Sequence, residues 1–192
     1  MLNGEYIQRK ASPPTRDQIF NDPRFFSVKA NVTEFAGANI LSKAIYTGLQ
    51  GNLKTFKDSY FTSRLTGCCR KIIQKGRGIN GQREGDVFNS PEALIGFQLH
   101  KKQIFNQIYT AKIAVLVNSD RSLITLKIKN SSHLHLNKHP KSATHFKLTA
   151  ALSLVSAIKC NPKTIKYQPV HPLLNALGNT VQTPPLECKM EH

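Results

Sequence analysis

Apolar residues recur at helical spacing through the first third of the chain and at alternating spacing through its last half. Phe25, Val28, Val32 and Phe35 fall three or four apart, and Ile40, Leu41, Ala44, Ile45 and Leu49 resume the pattern after the helix-weakening "AGA" at 36–38. Thr15 with Gln18 three residues on predicts a capping box over "TRDQIF", and Asp22-Pro23 predicts an N-cap followed by proline at the first helical position. A third helical stretch carries Leu53, Phe56, Tyr60, Leu65, Cys68, Cys69, Ile72 and Ile73. Positions 65, 68, 69, 72 and 73 share one face, so both cysteines read as small core hydrophobes.

From about residue 92 the period becomes two. Phe146, Leu148, Ala150, Leu152 and Leu154 alternate with polar or small residues and predict a half-buried strand. "IYTAKIAVLV" (108–117) and "LITLKIK" (123–129), joined by "NSDRS", predict a hairpin, and "CNPKT" (160–164) predicts a second turn. The fold expected is α+β: a basic helical region over 1–90 ending in a Gly/Arg-rich linker at 76–90, then a small antiparallel β sandwich or sheet over 91–192.

Charge changes this picture more than composition does. Lys plus Arg number 27 against 11 Asp plus Glu, a formal +16 with a pI near 10.0. A field of that sign attracts polyanions such as nucleic acid. Seven of the eight arginines lie in the helical region, whereas the β region is basic almost entirely through lysine. Arginine suits bidentate phosphate contacts, and lysine acts as a hydrated point charge. "SRLTGCCRKIIQKGRGINGQR" (63–83) concentrates Arg64, Arg70, Lys71, Lys75, Arg77 and Arg83 without one carboxylate. These six are the candidate nucleic-acid contacts. One phosphate neutralised by each would give a slope of log K against log salt of roughly −5 on duplex DNA.

"GRGING" (76–81) spells the dinucleotide fingerprint, but a helix precedes it and strand-like sequence follows, the reverse of the context that chemistry requires. Gly76 reads instead as a helix C-cap. "HLHLNKH" puts His133, His135 and His139 at a spacing that could hold a divalent metal, but no carboxylate is near and Lys138 and Lys141 would repel a cation. No metal or other cofactor is expected. No G-x-S-x-G, H-E-x-x-H or P-loop spacing occurs, and carboxylates are too sparse for an acid–base pair, so the protein is read as non-enzymatic. The longest greasy stretch, "LTAALSLVSAI" (148–158), is too short to span a bilayer. With no apolar run behind the charges of "MLNGEYIQRK", reduced thiols in a cytoplasmic protein are the default expectation.

The order "DPRFFSVKANVTEFAGA" (22–38), "SRLTG" (63–67), "RGINGQR" (77–83), "LIGFQL" (94–99) and "ATHFKLTAALSLVSA" (143–157) resembles a group of uncharacterised bacterial proteins. "EFAGA" departs from their E-F-G by one alanine. The resemblance implies the order of elements and no catalytic residues. In similar proteins a β-like segment precedes "GEYIQRK", which implies that this chain is a shorter version or begins at a later start. Their β parts are less basic, so the lysines here are not implied to serve the group in common. The expected function is polyanion binding, most of all nucleic acid; the alternative is a structural or protein–protein assembly module whose β domain docks to a partner.

Overall fold

The computed structural model describes residues 13–49, 53–120, 123–128, 135–137, 140 and 142–188. The fold is α+β, with helices to about residue 75 and small antiparallel sheets after it.

α1 (Arg16–Asn21) opens with the expected capping box: the Thr15 hydroxyl accepts the Gln18 N–H, and the Gln18 side chain accepts the Thr15 N–H. The Asp22 carboxylate then caps a 3-10 turn at Pro23–Phe25 that runs straight into α2 (Phe26–Gly48). "AGA" does not interrupt α2, which continues unbroken for 23 residues. Its buried face departs from the predicted stripe in the first half of the helix, whereas Leu41, Ala44 and Ile45 in the second half are buried as predicted. Ala30, Thr33, Glu34, Gly37, Ala38, Leu41 and Ile45 face inward, while Val28, Val32 and Phe35 are 43%, 47% and 49% exposed. At about 100° per residue the two stripes lie on nearly opposite sides of the helix. Close approach decides the matter: the ring of Tyr167 lies against Gly37, and the backbone of Gly178 against Gly48, where larger residues would not fit.

α3 (Leu53–Phe56) and α4 (Phe61–Lys75) follow. α4 buries Phe61, Leu65, Cys69, Ile72 and Ile73 against α2, as the 65/69/72/73 stripe predicts, whereas Cys68 sits at its margin. Gly76 ends the helix, its N–H donating to the Ile73 carbonyl. The segment 76–90 is no free linker. Gly81 packs on Ala30, and Gly85 exchanges both backbone hydrogen bonds with Ile158 at 2.9 Å.

α5 (Phe105–Ile108) leads into four two-stranded antiparallel ribbons. β1 (Ile113–Val117) pairs with β2 (Ile124–Ile128), and β3 (His145–Phe146) with β8 (Leu186–Glu187). β4 (Thr149–Leu154) pairs with β7 (Leu177–Gln182), and β5 (Ile158–Asn161) with β6 (Lys166–Pro169). The predicted alternation across 146–154 breaks where the chain leaves β3. Thr149, Ala150 and Ser153 are half-buried in β4, while Leu152 and Leu154 are 46% and 51% exposed. The core takes Ile158 and Tyr167 from the ribbons together with Ala38, Leu41, Phe61, Leu65, Cys69, Ile72 and Ile73 from the helices, so it runs across residue 90.

That core carries a pH dependence. Burial first, and the neighbouring Cys68 second, push the Cys69 thiol from 9.0 up to about 12. Burial likewise raises the Tyr167 phenol. Folding therefore holds protons that the unfolded chain releases, so stability is full below the unfolded values and falls as pH rises toward the folded ones. We expect Cys69 alone to remove roughly 1.4 kcal/mol per pH unit above its unfolded value. Urea denaturation at pH 8 and pH 10 measures this, and Cys69→Ala should flatten the loss.

Candidate nucleic-acid interface

α4 and the loop after it carry the six cations singled out by sequence, and folding separates their duties. Arg64 donates from Nη1 to the Gln98 carbonyl at 2.8 Å, and from Nη2 to Asp58 Oδ2 at 2.9 Å and the Leu99 carbonyl at 3.1 Å. Its guanidinium also lies 5.0 Å from the Phe97 ring centroid. This fork pins the 97–101 loop to the start of α4. Asp58 Oδ2 accepts the Lys101 N–H at 2.7 Å as well. That backbone bond, ahead of the Arg64 guanidinium, holds the Asp58 carboxyl below its ordinary value.

Arg83 turns inward too, its Nη1 lying 3.6 Å from Oε2 of Glu34, which is 2% exposed. Glu34 Oε1 accepts the Gly81 N–H at 2.9 Å, and the Tyr167 hydroxyl donates to the Arg83 carbonyl at 2.8 Å. The "GRGING" glycines thus serve a turn clamped onto α2. Gly81 has a φ of +92°, and a Cβ there would meet Ala30 at 2.9 Å, so the position requires glycine on both counts.

Lys75 bonds Glu92 at 2.6 Å on the surface, and this bond lowers the Glu92 carboxyl. Arg70 projects about 100° around the helix from Lys71, and its Nε is buried with no partner among the described residues. Lys71 and Arg77 are exposed and make no ion pair among the described residues. The six therefore do not form one continuous ridge.

Two adjoining cavities lie beside α4, of about 480 Å³ and about 750 Å³, and both have Arg64 and Lys101 in their walls. The smaller adds Cys68, Lys71, Phe97 and Ile104. The larger adds Ser59, Tyr60, Ser63, His100 and Lys102. His100, Lys101 and Lys102 come from a distant stretch, drawn to α4 by Arg64 and Asp58, and were not among the residues that charge density along the sequence picked out. The adjacent lysines of "HKK" are the only local signal.

Of the candidate metal-binding histidines, His133 and His139 lie outside the described residues. His135 packs edge-on to Tyr109 with centroids 6.2 Å apart. No cluster of His, Cys, Asp or Glu among the described residues could hold a metal ion, and no described helix is long and apolar enough to cross a membrane. No protein-family model, no curated protein and no solved structure matches this chain.

Proposed function

We propose that the protein binds polyanions, nucleic acid foremost, and does so without catalysis. One observation carries this reading. Asp22, Glu34, Asp58, Glu84 and Glu92 are each taken by an internal ion pair. Lys71, Arg77, Lys101 and Lys102 around α4 are exposed, with no carboxylate partner among the described residues. The surplus of the +16 is thus left facing solvent, where it acts on whatever anion approaches. Free thiols and nucleic acid occur together in the cytoplasm, which is where this reading puts the protein.

Four cations meeting four phosphates correspond to a slope of log K against log salt of about −3 to −4. Fluorescence anisotropy of labelled nucleic acid should show affinity falling roughly 50- to 150-fold between about 50 and 200 mM salt. Absence of binding at the lower salt overturns the proposal.

A second reading, as an assembly module, is favoured by exposed apolar surface. Val115, Val117 and Leu123 of the β1–β2 hairpin are 59%, 53% and 61% exposed, and Val28, Val32 and Phe35 form an uncovered stripe on α2. Size-exclusion chromatography separates the two, because an apolar assembly persists at high salt whereas polyanion carry-over disappears.

A further inference from the structure

We infer that the paired cavities beside α4 take single-stranded nucleic acid, with phosphates on Lys71, Lys101 and Lys102 and a base stacked on Tyr60. This rests on the polyanion reading and narrows it to one site and one form of ligand.

Tyr60 is the decisive residue. It is 71% exposed at the N-cap of α4 and packs on no other ring among the described residues, although Phe61 beside it is 1% exposed and meets both Tyr46 and Phe97. A large aromatic face left in water beside lysines is what an unstacked base can cover. Successive bases of a single strand stack on such rings while the backbone follows the positive charge. A duplex presents phosphates and base edges but keeps its base faces stacked inside, so it offers Tyr60 no face to cover. Ser59 and Ser63 line the same cavity, and serine hydroxyls are common donors to phosphate oxygens.

The cationic wall is held in place before any ligand arrives. Arg64 clamps the Gln98 and Leu99 carbonyls, the Asp58 N–H donates to the Leu99 carbonyl at 3.3 Å, and Asp58 Oδ2 fixes the Lys101 N–H. His100 Nδ1 accepts the Lys102 N–H at 3.1 Å, which tightens the turn that carries both lysines. Asp58 is the one carboxylate lining the cavity among the described residues, and its charge is met by Arg64 at 2.9 Å. Arg64 is therefore a positioning residue, and the contacts fall to the lysines and Tyr60.

The test is anisotropy with labelled oligo-dT and a duplex of the same length, using the full chain. Oligo-dT should bind more tightly than the duplex. Tyr60→Ala should weaken oligo-dT binding roughly 5- to 160-fold at every salt concentration and leave the salt slope unchanged, while Tyr60→Phe retains affinity. Lys101→Ala with Lys102→Ala should make the slope shallower by about 1.4. Far-UV circular dichroism of each variant verifies the fold, since all three positions are exposed. If duplex and single strand bind equally and Tyr60→Ala changes nothing, the site is overturned and general polyanion binding stands. If neither binds, both fall.

Discussion

Replacing Glu34 with alanine should destabilise the protein by about 3 kcal/mol, one of the two largest effects expected inside the fold. Glu34 is 2% exposed, and both carboxylate oxygens face the 76–90 loop, one accepting the Gly81 N–H at 2.9 Å and the other 3.6 Å from Arg83. Truncation orphans the buried Gly81 N–H, a loss of about 1–3 kcal/mol, and leaves the guanidinium without its counter-charge. Breaking a fully buried pair costs about 3–5 kcal/mol, but Arg83 keeps 27% of its side chain in water, which screens part of that. Glu34→Gln keeps an acceptor for Gly81 but loses the charge and turns an amide NH2 toward Arg83, so it should cost less than alanine by roughly the 1–3 kcal/mol of the orphaned N–H. Urea denaturation of both variants measures the two terms. A change below about 1 kcal/mol for Glu34→Ala would mean that the loop is held by other contacts. Such a result would shift the anchoring to Tyr167 and to the Gly85–Ile158 bridge.

Gly37→Val should cost a comparable amount, about 3 kcal/mol, for a steric reason. A Cβ at Gly37 would lie 2.8–2.9 Å from three carbons of the Tyr167 ring. That ring cannot retreat cheaply, because its side chain is buried and its hydroxyl is bound to the Arg83 carbonyl at 2.8 Å. Overpacking of this kind costs about 1–3 kcal/mol, and displacing the hydroxyl adds about 1 kcal/mol. Gly37→Ala should be milder, because alanine returns about 1 kcal/mol of helix propensity at a mid-helix glycine. The order wild type, Gly37→Ala, Gly37→Val in urea midpoint is the expected result. A Gly37→Ala variant more stable than wild type would show that Tyr167 yields easily and that the close approach is not required.

Both variants act where sequence and fold part company. The sequence by itself determined what depends on near neighbours in the chain. Examples are the Thr15–Gln18 capping box, the Asp22-Pro23 start, the buried 65/69/72/73 face of α4, Gly76 as its cap, the antiparallel pairing of β1 with β2, and the turn at 160–164. These follow from periodicity and local hydrogen bonding, which a few adjacent residues specify. Leu41, Ala44 and Ile45 in the second half of α2 were legible in the same way, but the inward face of its first half was not. Hydrophobicity chose Val28, Val32 and Phe35, whereas tertiary packing chose the small residues around Gly37 and Ala38, because close approach of Tyr167 outweighs the apolar area of larger side chains. The candidate site divides likewise. Charge density pointed to α4, and Lys71 and Arg77 remain exposed there, but Arg64 and Arg83 were assigned by folding to Asp58 and Glu34. Lys101 and Lys102 joined α4 only through hydrogen bonds spanning some forty residues of chain, such as Lys101 N–H to Asp58. Which cations pair inwardly and which are left to meet a ligand depends on where the few carboxylates come to rest in three dimensions, and only the tertiary structure decided that.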